Sequence, residues 1–89
     1  MTDRATLIEE RLRSALTPVS LEIIDDSPAH AGHAGAKDGG HFTVRIVSAA
    51  FTGKTLIQRH RLIHAALADL MHREIHALSI TRAKTPDEA

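Results

Sequence analysis

Between His41 and Thr81 the side-chain periodicity changes twice, and this restricts the fold more than any other feature of the chain. His41 to Ser48 alternates, with Phe42, Val44 and Ile46 on one side, as a half-buried strand does. Leu56 to Met71 carries Ile63, Ala66, Leu67 and Leu70 at helical spacing, with Arg59, Arg61 and Asp69 on the wet side. After a polar His72-Arg-Glu connection, Ile75 to Thr81 alternates again, with His76, Leu78 and Ile80 expected to face the helix layer. A strand, a helix and a strand within one sheet make the two strands parallel. Both strands therefore begin at one rim, and the helix ends there.

The remaining segments complete a two-layer domain. Residues 3–16 form an amphipathic helix on Ile8, Leu12, Ala15 and Leu16; Thr2, Asp3 or the Thr6/Glu9 pair offer its cap, and Thr17-Pro18 stops it. Residues 19–25 alternate, with Val19, Leu21 and Ile23 inward, and pair antiparallel with the strand that starts at His41. Residues 26–40 form a glycine-rich loop with no large apolar side chain. With a short extra helical turn at residues 55–59, the expected order is α-β-β-α-(α)-β. This is an α+β two-layer sandwich, a three-stranded mixed sheet with helices on one face. The domain is expected to span residues 1–82, with a frayed tail over 83–89.

Composition narrows the function. Eleven basic and eleven acidic residues cancel, which argues against tethering to DNA or a membrane by charge alone. Phe42 and Phe51 are the whole aromatic complement, too few for a base-stacking platform. There is no cysteine, so this chain alone can build neither a disulfide nor a thiolate-ligated metal or iron–sulfur centre. The opening residues lack the layout of a signal peptide, and a cytoplasmic protein is the expectation.

Seven histidines are the outlier. Chain direction brings five to one rim: His30, His33 and His41 before the second strand, His72 and His76 around the start of the third. Taken singly, each has an ordinary reading. His76 closes a strand end by a hydrogen bond; His30 and His33 are solvated loop residues; His41 opens a strand; His72 is a cation at a helix C-terminus. Together they offer, as an alternative reading, a mononuclear site for zinc or copper, both suited to imidazole. His60 and His64, one helical turn apart, lack an evident third ligand. Gly53-Lys54-Thr55 resembles the end of a P-loop, but Ser48 stands where that motif needs its first glycine. Gly32-His-Ala-Gly35 spells a nucleic-acid-clamping GXXG, but between strands and not between helices. No serine or threonine is marked as a nucleophile, and no enzyme is expected.

Five pieces, in order and spacing, carry a resemblance over residues 4–82: Leu21-Glu-Ile-Ile-Asp-Asp-Ser27, His41-Phe42, Val47-Ser48 with Phe51-Thr-Gly53, Arg59-His-Arg-Leu62, and His76-Ala-Leu78. The chain resembles the BolA-like family. The resemblance implies the topology of a class II KH domain. It also implies a partner, a monothiol glutaredoxin with a Cys-Gly-Phe-Ser site, and a shared [2Fe–2S] cluster for trafficking or for iron and redox sensing. Glutaredoxin and glutathione supply thiolates; this chain, a monomer alone and half of a heterodimer with its partner, supplies the other ligands. The family's near-invariant histidine falls on His76 and its variable loop ligand on His30, with His33 the nearest substitute and His41 a further one. The resemblance implies an alternative as well, a KH-like transcriptional regulator, and Lys54, Arg59, His60 and Arg61 are expected to contact either the partner or nucleic acid.

Overall fold

The computed structural model describes residues 3–26 and 40–89. Helix α1 (Arg4–Leu16) buries Ile8, Leu12 and Leu16, while Ala15, expected in the same stripe, faces solvent. Its cap is Asp3, whose carboxylate accepts from the Thr6 backbone N–H at 2.8 Å. That bond holds the Asp3 pKa below its ordinary value. The helix ends at Thr17, left-handed at φ 44°, immediately before Pro18.

Strand β1 (Ser20–Asp25) pairs antiparallel with β2 (Gly40–Val47), and β2 pairs parallel with β3 (Ile75–Lys84), in the order β1-β2-β3. Val19, expected inward, lies outside β1 and is 69% exposed. A 3₁₀ turn (Ala49–Phe51) leads to helix α2 (Leu56–Ala66). Thr55 and Gln58 cap α2 reciprocally, so residues 55–59 are its start and the extra helical turn lies earlier, at the 3₁₀ segment. Both helices contribute to one core. Phe42, Val44 and Ile46 from β2 meet Ile8, Leu12, Phe51, Ile63, Leu67 and Ile75 there, all at or near zero exposure.

Three expectations are corrected. Helix α2 stops at Ala66, not Met71. Successive turns over 67–74 keep Leu67 and Leu70 in the core while the Leu70 carbonyl accepts from Arg73, Glu74 and Ile75. The sheet also passes the boundary expected at residue 82. Strand β3 continues to Lys84, Ala83 and Thr85 are buried, and the expected frayed segment is held by Arg59. Finally, β3 does not alternate simply. Gly40 aligns with Ile75 but His41 with Ala77, and Val44 with Ile80 but Arg45 with Arg82. Each shift inserts one residue into β3, His76 and then Thr81. The insertions let Ile75, Leu78, Ile80 and Ala83 all pack inward despite their uneven spacing.

Candidate functional site

The rim where β2 and β3 begin is fixed by backbone bonds. Asp26 N–H donates to the His41 carbonyl at 2.7 Å, and Gly40 N–H to the Glu74 carbonyl at 3.0 Å. Thr43 Oγ1 donates to Asp26 Oδ2 at 2.8 Å, pinning the end of β1 against β2. The expectation that the ring of His76 faces the helix layer is therefore wrong. As the inserted residue of the first shift, His76 is exposed, and its ring lies against that of His41 on the neighbouring strand. The ring centroids are 5.2 Å apart and the planes 29° from parallel. His41 itself is half-buried. The signal for this pairing is visible in retrospect: Ile75 and Leu78 are both apolar but three apart, which a regular strand cannot place on one face.

Chain direction thus brings His41 and His76 together. His72 is near in sequence but has another role: at φ 67° it turns the chain, and its N–H donates to the Ile75 carbonyl at 2.8 Å. Since α2 ends at Ala66, His72 is not at a helix C-terminus; the basic residue in that last turn is His64. His30 and His33 lie outside the described residues. Among the described residues no three histidines, cysteines or acids stand together as a metal site. The donor set on view is two imidazoles on an open rim. It suits a group completed by a partner's ligands, and does not suit a thiolate-bound cluster held by this chain alone.

The second group of candidates, on α2, divides. The side chain of Arg59 is only 12% exposed. Its guanidinium forms a fork with the Glu88 carboxylate, with Nη2 to Oε2 at 3.0 Å. It also donates to the Lys54 and Ala83 carbonyls at 2.9 and 3.0 Å and stands 5.9 Å above the Phe51 ring. Arg59, expected to contact a partner, is therefore committed to closing the C-terminal turn. The Arg59 guanidinium, helped by the Thr85 N–H, pushes the Glu88 carboxyl down to about 2. Lys54 and Arg61 remain exposed and His60 half-buried. Leu56 and Ile57 beside them are 62% and 60% exposed. From Gly40 to Ala68 the chain has no acidic residue, so its neutral total hides a locally basic segment.

Ser48, a failed P-loop position and part of one piece of the resemblance, has a structural role that neither reading gives. It is fully buried, donates to the Leu16 carbonyl at 2.6 Å and accepts from Ala50 N–H at 3.0 Å. It joins the end of α1 to the 3₁₀ turn.

Comparison with known proteins agrees with this fold. A family model described as BolA-like protein matches residues 12–88. SufE-like protein 1 of Arabidopsis thaliana is 50% identical over 96% of this chain, which spans 24% of that protein's length. The DNA-binding transcriptional regulator BolA of Escherichia coli is 44% identical over 82% of the chain and 68% of its own. The BolA domain of SufE1 from Arabidopsis thaliana superposes with a TM-score of 0.83 at 49% identity, covering 100% of this chain and 99% of that one.

Proposed function

This chain belongs to the BolA-like protein family, and from that premise we propose that it is a non-enzymatic partner of a monothiol glutaredoxin, with which it shares a [2Fe–2S] cluster. The observation that carries this reading is the exposed His76, placed outward by the register shift and backed by His41. Its imidazole is displayed from a strand, so the fold orients it before a partner arrives. The second ligand is His30 or its neighbour His33. His30 follows Asp26 by four residues, a reach of at most about 14 Å, and Asp26 is bonded to His41 at the same rim. Thiolates must come from elsewhere, which makes partner dependence a chemical requirement. The cluster supplies electron-transfer or iron-delivery chemistry, and neutral histidine ligands shift its potential upward. The chain's own share is to present imidazole.

The test is anaerobic co-purification with a monothiol glutaredoxin and glutathione, followed by iron and sulfide assay. One cluster per heterodimer is expected, with none retained by this chain alone. A complex that carries no iron, or no complex, removes the reading. Single alanine variants at His30 and His33 should differ in cluster lability, and the more labile one names the loop ligand.

A second reading, DNA binding, is favoured by the name of the Escherichia coli relative and by the acid-free segment bearing Lys54, His60 and Arg61. Arg59 is not available to it. Binding of this kind should weaken steeply with salt; no gel shift even at low salt eliminates it.

A further inference from the structure

We propose that His41 and His76 form a two-imidazole site for a single late first-row divalent ion, Zn²⁺ being the type, held by this chain without a partner. The first support is spacing. Two imidazoles that each give one nitrogen to a tetrahedral zinc at about 2.0–2.1 Å have ring centres about 5 Å apart. The observed separation is 5.2 Å with the rings stacked, so a side-chain rotation, not a backbone movement, is what turns one nitrogen of each toward a shared ion. The second support is preorganisation. Both histidines sit on adjacent strands whose frames are bonded at Gly40, His41 and Glu74, so little ordering is needed on binding. The third is charge. Asp26, just past β1, donates its N–H to the His41 carbonyl and brings a carboxylate, held by Thr43, to the same rim, and an exposed His76 leaves the other coordination positions to water.

This site needs no thiolate and neither His30 nor His33, which separates it from the shared cluster. The two uses compete for one imidazole. If the cluster reading above holds, zinc occupancy and cluster sharing exclude each other, and the ion becomes a brake on the complex.

The experiment titrates the isolated, isotope-labelled chain with Zn²⁺, without glutaredoxin or glutathione, and follows the histidine ring nitrogens by NMR. Failure here is therefore distinct from failure of the cluster reading. The ring signals of His41 and His76 should move together and saturate at one ion per chain. Losing an outer-shell partner of a metal costs about 10–100-fold in affinity, so His41→Ala and His76→Gln should each cost at least that. His64→Ala should leave the pair's response intact, because His64 lies on α2, outside the proposed pair. Backbone amide spectra of each variant report that it is folded. The proposal is overturned if neither ring responds, if zinc moves only His60 and His64, or if folded His41→Ala leaves the His76 response unchanged.

Discussion

The two ends of the sheet treat their polar residues in opposite ways. At the rim where β2 and β3 begin, His76 is displayed to solvent with its ring against that of His41. At the other end, Arg59 spends its donors on Glu88, Ala83 and Lys54 and lies over Phe51, while Ser48 is buried with its hydroxyl both donating and accepting. Both ends supplied candidate functional residues to a reader of the sequence. The difference teaches that residue type does not separate function from structure; unspent bonding capacity does. An arginine with its fork filled is a fastening, and the exposed His76 is the ligand that the proposed function assigns.

The largest expected effect tests the closed end. Phe51→Ala removes a fully buried ring beneath Arg59 and should destabilise by about 3–5 kcal/mol in denaturant titration. A loss below about 1 kcal/mol would mean this end is not the fastening described. Ser48→Ala comes next. It leaves the Leu16 carbonyl without its buried donor, and a cost of about 1–3 kcal/mol is expected in the same titration. Arg59→Ala should free the last turn, read as faster amide exchange at Thr85 and Glu88, whose N–H groups close it. Unchanged exchange there would show that the turn holds without the arginine.

A pH titration sharpens the same comparison. The folded pKa of Glu88, about 2, lies below its ordinary 4.5. The folded state therefore binds fewer protons at this group, and its stabilisation is complete above about 4.5. It is lost as pH falls from there through about 2. The difference in melting temperature between wild type and Glu88→Gln should be constant at neutral pH and shrink across that window. A difference that is flat down to pH 2 would contradict the Arg59–Glu88 fork. The smallest expected effect on stability is at the open rim: His76→Ala should change it by no more than about 0.5 kcal/mol, the ordinary range for a surface substitution.

Much of the fold was readable from periodicity and chain direction. The strand–helix–strand unit gave the parallel pairing of β2 and β3 and hence the shared rim, both of which the topology shows. What escaped reading has a common cause: it depends on partners distant in the chain. Glu88 lies 29 residues from Arg59, and nothing local to either announces the fork. The insertion of His76 depends on how Gly40 and His41 align across the sheet, although the three-residue step from Ile75 to Leu78 was its trace. Helix α2 ends early because Leu67 and Leu70 both need the core while the chain turns back, a requirement of packing and not of propensity. At the rim, the place of His76 near the start of β3 was legible and its direction was not.

The most direct measurement compares visible absorption and circular dichroism spectra of cluster-loaded complexes with glutaredoxin and glutathione, for wild type, His76→Ala and Arg59→Ala side by side, with a thermal melt of each free chain. His76→Ala should lose the histidine-type bands and melt like wild type; Arg59→Ala should keep the bands and melt lower. Histidine-type bands that survive unchanged in His76→Ala would contradict the assignment of the open rim as the functional end.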